Sequence, residues 1–404
     1  MVVRMKSSEL ETMRKSFNTV KKRSSSIRDL PSTQRLIKRV REIKKYSIEN
    51  NRELYNQCLE SFKRNDIECR FAETSEDALK IIDELLSEVG AGVISKAKSN
   101  TLGEINLKNH LKDKNIEIVE TDLGDRILQL KKTDNRPVHP TGPASHLNVG
   151  EIADIVNDAL DENVNGEAHE IMEAVRADVL NRLKSANVGI SGANAIASEE
   201  GSCVMVHNEG NISIVSLKDL HIIVAGIDKI VPTLEDAISL VKLETIFATG
   251  NFVTSYMNVI SGPSKTADIE KKLIKNMYGA ERVVVIFLDN GRSDAIDECL
   301  YCIGCGNCIV HCPVYNAVGN EFGFNNYLGG RGVAMSKFIE DDEACFNSGL
   351  YMCTLCGLCT LNCPLEIPTN EILENMRKLS ADVGFYPKAH GKIKDNVRKN
   401  DSPY

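Results

Sequence analysis

Apolar positions change their period along the chain, and the changes mark out its parts. Between about residues 33 and 65, Leu36, Ile37, Val40, Ile43 and Ile48 recur near helical spacing with Lys and Arg between them, which predicts helix. From Glu68 onward short β-branched runs take turns with helical stretches. The runs 69–72, 92–95, 116–120, 202–207, 212–215, 221–226 and 283–289 read as strands. Residues 75–86, 102–112, 234–243 and 268–278 read as helices. Strand and helix in alternation predict an α/β domain over 68–290 with a largely parallel sheet. Residues 291–297 link it to a cysteine-rich domain ending near 385, and the polar, basic tail 386–404 reads as loop or disorder.

The longest uninterrupted apolar run, from Val283 to Leu288, is six residues, too short to span a bilayer. No apolar segment of the kind found in secretory signals follows the first lysines, so the expectation is a cytoplasmic protein that is not integral to a membrane. Charge divides the chain unevenly. Residues 1–46 carry a net +10 and the whole chain −8, so a basic helical arm (residues 1–67) precedes an acidic body. Such an arm reads as a docking or solvated helix. With no Trp and no pattern of aromatics interleaved with its cations, it does not read as a nucleic-acid binder.

Cysteine spacing changes the picture most. Of thirteen cysteines, ten lie between Cys299 and Cys363. Cys302, Cys305, Cys308 and Cys312 are followed by Pro313; Cys353, Cys356, Cys359 and Cys363 are followed by Pro364. Each run is C-x2-C-x2-C-x3-C-P, the bacterial ferredoxin pattern for a [4Fe–4S] cluster, in which the fourth cysteine serves the other cluster. Three thiolates two residues apart wrap one cubane, and the displaced fourth reaches across. The assignment is therefore Cys302, Cys305, Cys308 and Cys363 for the first cluster, and Cys353, Cys356, Cys359 and Cys312 for the second. Zinc sites need pairs rather than triplets, and disulfides need an oxidising compartment. Cys299 stands three before Cys302, so the first triplet could slide by one cysteine, though that frame loses the x3-C-P ending. Cys345, Cys58, Cys69 and Cys203 are isolated; Cys345 and Cys203 read as buried thiols.

Several loops at expected strand ends could hold an anion. They are Gly189–Asn194, with Gly192 and Asn194, running on through Glu199 to Ser202; Ala248–Asn251; and Ser261–Glu270, with Ser264 and Thr266. Lys96 and Lys98 beside a strand end could face a carboxylate. None matches a phosphate loop or a dinucleotide fingerprint.

The string from Ile116 to Asp125 resembles a stretch of the lactate-utilisation (LUD-domain) iron–sulfur proteins. So do Gly192–Asn194 with Glu199 and Gly201, Asn208 to Asn211, His221 with Gly226 to Thr233, Leu288 to Ser293, and the run Cys302 to Tyr315. The resemblance covers the chain from its first helices to about Pro364 and is to the ferredoxin-bearing subunit of that family. It implies a domain similar to the NagB/RpiA/CoA-transferase fold, fused to an α-helical ferredoxin module with two [4Fe–4S] clusters. It also implies two partners, a cysteine-rich subunit with CCG motifs and a second LUD-domain protein without clusters. This chain has no adjacent Cys–Cys pair, so redox catalysis is expected to need the partner. The expected role is electron transfer in the oxidation of L-lactate, or a similar 2-hydroxy acid, to the 2-oxo acid. The alternative is an electron-carrying adaptor in another redox complex, with the α/β domain binding a ligand or partner.

Overall fold

The computed structural model describes residues 5–131 and 136–403. The basic segment forms three helices, α1 (Ser7–Arg28), α2 (Pro31–Glu49) and α3 (Asn51–Arg64). Pro31 starts α2, where its missing N–H costs no hydrogen bond, and Asn50 divides the helix expected over 33–65 into two. These helices are docked along their lengths. In α1, Glu9, Met13 and Phe17 are buried at four-residue spacing, and Phe17 stacks on Tyr315 of the cysteine-rich domain with ring centroids 6.2 Å apart.

A six-stranded, wholly parallel sheet forms the centre of the α/β domain. Its strands are β1 (Glu68–Ala72), β2 (Val93–Lys96), β3 (Glu117–Glu120), β4 (Val188–Ser191), β7 (Leu220–Gly226) and β12 (Arg282–Leu288), in the order β1-β12-β7-β4-β2-β3. The chain places β3 outside β2 and then returns to lay β4 on β2's other side. Strand order therefore reverses between β2 and β4, the position where open α/β sheets bind ligands beyond the carboxyl ends of their strands. Register sets Ala72 beside Leu288, Leu288 beside Gly226, and Lys96 beside both Ile190 and Glu120, so these carboxyl ends share one edge. Strands β4, β7 and β12 are buried almost throughout, as a sheet covered on both faces requires.

A second sheet rises from that edge. It contains β5 (Ala195–Ala197), β6 (Ser202–His207), β8 (Ile230–Val231) and β9 (Tyr256–Ile260) in the order β8-β5-β6-β9, with β6 antiparallel to both neighbours. The helix Leu234–Thr249 packs between this sheet and helices α1 and α2, with ten of its residues buried.

Four expectations are corrected. Residues 212–215 are helical, not a strand: Gly210, at φ +83°, opens the helix Asn211–Ser216, and Ile212 and Val215 bury together at i, i+3. Residues 268–278 hold no helix. The small hairpin of β10 (Lys265–Thr266) and β11 (Ile274–Lys275) occupies them, with Glu270 and Lys271 at positive φ and no apolar face against the core. The helix expected over 102–112 breaks at Asn106, at φ +54°. The tail is no loop: Lys388–Asn400 is a helix, begun after Pro387 and buried at no position, so it lacks the apolar stripe that marks other helices. Among the described residues, no helix is long and apolar enough to cross a membrane.

Candidate functional site

A cavity of about 220 Å³ opens at the carboxyl edge of the large sheet, between the ends of β2 and β4. Lys98 follows β2, Asp122 follows β3, Gly192 and Asn194 follow β4, and Lys229 follows β7, so register alone delivers them to one place. Gly192 is required there: a Cβ would lie 2.5 Å from Ser99 Oγ. His207 and Glu209 reach the cavity from the end of β6, and Glu244 from the buried helix.

The polar groups constrain one another. Lys98 Nζ donates to Asp122 Oδ2 at 2.6 Å. The Val206 amide donates to Asn194 Oδ1 (3.1 Å), which turns the Asn194 amide nitrogen toward both Glu244 carboxylate oxygens, at 3.1 and 3.0 Å. Burial pushes the Glu244 carboxyl up to about 7, against the pull of Lys229 and the Asn194 hydrogen bond. Lys229 is the looser cation: among the described residues its ion pair is with Asp228 at 3.8 Å. The far wall belongs to the cysteine-rich domain. Ile303 and Gly304, inside the first cysteine run, line the cavity, and a Cβ on Gly304 would lie 3.8 Å from Glu244 Oε1.

Of the anion-binding residues expected from sequence, Lys98, Gly192 and Asn194 meet here, whereas Lys96, Glu199, Ser264 and Thr266 do not line the cavity. Lys96 lies in register with Glu120 and closes on both its carboxylate oxygens at 2.9 and 2.8 Å. Glu199 stands beyond β5, its backbone tied to Pro232 and Arg64. Ser264 hydrogen-bonds the Ala280 carbonyl just before β12, so the β10–β11 hairpin carrying Thr266 sits at the opposite, amino edge of the sheet. Asp122, His207, Glu209, Lys229 and Glu244 were not singled out by sequence. Asp122, Glu209 and Lys229 lie in stretches that carried the family resemblance, and Glu244 is an acid on the buried stretch of a helix whose other acids, Glu235 and Asp236, sit in its first turn.

The two cysteine runs fold alike. The Gly304 amide donates to Cys302 Sγ and the Leu355 amide, at the matching place, to Cys353 Sγ, each at 3.4 Å. Arg331 Nε binds the carbonyl three residues before Cys302, and Arg377 Nε that three before Cys353, at 3.0 and 3.1 Å. Those carbonyls belong to Cys299 and Leu350, both buried, so Cys299 occupies a position that is plain core in the other run. Cys305 has Cys363, Cys308 and Cys302 as charge neighbours, and Cys312 has Cys359 and Cys353. A separate cavity is bordered by Cys308, Cys312, Cys353, Cys356 and Cys359. Beside the first run, His139 accepts from the Thr141 amide at Nδ1, leaving Nε2 buried, unpartnered and 2.6 Å from where a Gly306 Cβ would stand. An N–H donor of that kind suits the sulfurs of an iron–sulfur centre. Cysteine placement, amide–sulfur bonds and the orphan donor all fit two cubanes. Cys345 is buried, its Sγ 3.3 Å from the Val333 carbonyl, and Cys203 is buried in β6.

Comparison with known proteins agrees with this geometry. A family profile for the LUD domain matches residues 55–288, and one for the 4Fe-4S dicluster domain matches residues 298–367. A protein named lactate utilization protein B from Anoxybacillus flavithermus is 34% identical over 342 residues, 83% of this chain and 70% of the relative. The protein of that name from Bacillus subtilis is 32% identical over 342 residues, 83% of this chain and 69% of the relative. Among solved structures, a DUF162 family protein from Deinococcus radiodurans covers 54% of this chain and 99% of its own at 16% identity, with a TM-score of 0.21.

Proposed function

Because this chain belongs to the LUD-domain family and carries a ferredoxin module for two [4Fe–4S] clusters, we propose that it is the electron-transfer subunit of a lactate-utilisation system. In this reading the system oxidises L-lactate, or a similar 2-hydroxy acid, to the 2-oxo acid. Its expected partners are a CCG-motif subunit and a second LUD-domain subunit. Oxidising a 2-hydroxy acid releases two electrons, and two cubanes can each accept one.

One observation carries the reading: the cavity at the sheet's switch point is walled by Ile303 and Gly304 of the first cysteine run. A small anion held there lies against the loop that takes up electrons, with no intervening element. Lys229 and Lys98 supply the cations, and a protonated Glu244 removes a competing negative charge. Cys302, Cys305, Cys308 and Cys363 hold the first cluster in this reading, and Cys353, Cys356, Cys359 and Cys312 the second.

The test is calorimetric titration of anaerobically prepared full-length protein with L-lactate. A charge-assisted contact is worth roughly 1.5–3 kcal/mol, so Lys229→Ala should weaken binding about ten- to a hundredfold with iron content unchanged. Lactate binding that ignores Lys229→Ala and Lys98→Ala would remove the cavity from the function and favour the adaptor reading.

A further inference from the structure

The two cysteine runs are repeats, but the chain covers only one of them. In the first, the helix Asn307–His311 buries Ile309 and Val310 completely or nearly so, and α1 packs against it and against the following helix Pro313–Val318. In the second, the matching helix Leu358–Asn362 has no buried residue. Leu361, at the place of Val310, is 70% exposed, and Leu358 is 39% exposed. Cys356, just before this helix, is the one exposed cysteine of the thirteen. Leu358 and Leu361, three apart on one helix face, thus leave an apolar surface beside the most open of the cysteines.

The rim has a definite charge. Arg14, Lys21 and Arg28 follow one another at seven-residue spacing on α1, along the border of the ferredoxin module. Arg14 Nε donates to the Asn316 carbonyl at 2.8 Å. Arg28 donates to the Leu361 carbonyl and to Asn362 Oδ1, at 2.9 and 3.0 Å. Lys21 lies between them on the same helix and is half-buried. The bonds of Arg14 and Arg28 go to neutral oxygens, so they leave positive charge at the edge of the apolar helix.

We propose that the face made by Leu358, Leu361 and this basic stripe docks an acidic one-electron carrier protein, which sets an apolar patch over the second module as α1 does over the first. This rests on the electron-transfer reading above and names its exit. The step across the face moves one electron from the second cluster to the carrier's own redox centre; no bond is made or broken. An apolar centre ringed by charge is the arrangement in which the rim steers encounter and the centre holds the complex.

The experiment uses reduced, anaerobically prepared full-length protein and stopped-flow oxidation by two acceptors. One is oxidised rubredoxin, a small acidic carrier; the other is ferricyanide, a small inorganic acceptor that needs no docking face. Leu361→Glu and Lys21→Glu each add negative charge at exposed or half-exposed positions. Each should lower the second-order rate with rubredoxin about tenfold at low salt and leave the ferricyanide rate, measured at about 1 M salt where that trianion's own repulsion is screened, within twofold. The wild-type rubredoxin rate should fall as salt rises through the range where the Debye length shrinks from about 30 to 10 Å. A rubredoxin rate indifferent to both variants, or one that falls only in step with ferricyanide, overturns the docking face. Failure of the wild-type protein to pass electrons to either acceptor would instead overturn the electron-transfer reading.

Discussion

Arg292 offers the sharpest test of what joins the two domains. It follows β12 in the linker, is 3% exposed, and its guanidinium is fully used. Nη1 and Nη2 bind the two oxygens of Glu104 at 2.9 and 2.7 Å, Nε binds Asp228 Oδ1 at 2.7 Å, and Nη2 also meets the Tyr327 hydroxyl at 3.0 Å. Glu104 and Asp228 belong to the α/β domain and Tyr327 to the ferredoxin module. Gly226 makes room, since a Cβ there would lie 2.3 Å from Arg292 Nε. Arg292→Met removes the cation and leaves two buried carboxylates. Breaking a buried pair in this way costs about 3–5 kcal/mol. Glu104 keeps its bonds from Tyr327 and Asn290 at 2.5 and 2.6 Å, so about 4 kcal/mol is expected rather than twice that. At roughly 2–4 °C per kcal/mol this is a fall of about 8–16 °C in the melting temperature of the α/β domain. Glu104→Gln, which leaves the Arg292–Asp228 pair in place and gives up one charge and one of the two accepting oxygens, should cost less. Acid dependence gives a second reading. Burial raises the Asp228 carboxyl, but Lys229, Arg292 and Lys44 outweigh it and hold the group well below the usual carboxylate range. A carboxyl depressed in the folded state contributes stability above its unfolded value near 3.9, lost as pH falls through that value toward the folded one. Arg292→Met should flatten that acid slope. The assay is urea unfolding followed by far-ultraviolet circular dichroism between pH 3 and 8, with limited proteolysis at the linker. A cost under about 1 kcal/mol, with an unchanged acid slope and a protected linker, would refute the reasoning.

Two further outcomes follow from the cavity and the cysteines. Glu244, raised to about 7 by burial against the pull of Lys229 and Asn194, binds a proton in the folded chain that the unfolded chain releases above its ordinary value of 4.5. Stability should therefore fall as pH rises from about 4.5 to 7, and L-lactate should bind more weakly above pH 7. Glu244→Gln should remove both trends in thermal melts and calorimetry, and retained trends would assign them elsewhere. Cys363→Ser should perturb the electron-paramagnetic-resonance signal of the cluster held with Cys302, Cys305 and Cys308, while Cys299→Ala keeps about eight irons per chain. Iron lost from Cys299→Ala would favour the shifted frame.

Features written in local spacing were legible in the sequence. The cysteine runs announce two [4Fe–4S] clusters, because the C-x2-C-x2-C-x3-C-P spacing, written twice, is local to each run. Five of the six strands of the large sheet were legible as short runs, clearest in the β-branched β7 and β12, which are buried on both faces; β4 was not, because Gly189 and Ser191 break its apolar pattern and read as part of a glycine loop. What depended on distant partners was not. Lys96 looked like a free cation, yet parallel register puts Glu120 beside it. Ser264 and Thr266 looked like part of an anion loop, yet strand direction carries them to the amino edge, away from Lys98. Residues 212–215 are too few to separate a period of two from 3.6, and only the left-handed Gly210 decides for helix. The basic segment looked like an arm because residues 1–46 carry a net +10 against an acidic body. Four buried positions in α1 suffice to dock it, so deletion would open the core and charge reversal is the informative change.

In isolation, two cysteine runs with identical spacing would be equivalent, and electrons would have no preferred direction between them. The remainder of the chain breaks that equivalence. The α/β domain brings its cavity against Ile303 and Gly304 of the first run. Helix α1 covers the first run's helix, burying Val310, and leaves Leu361 bare in the second. The first run is thereby the more covered and gains access to the cavity; the second, with Cys356 exposed, has the reverse. Under the proposed function, polarity then comes from packing rather than from ligand chemistry: an electron enters at the more covered run because only it adjoins the cavity, and leaves at the other because it is the more open. Substituting Val310 and Leu361 for one another would leave every ligand in place. The exchange should cost stability at position 310, where added volume strains a closed core, and almost nothing at 361.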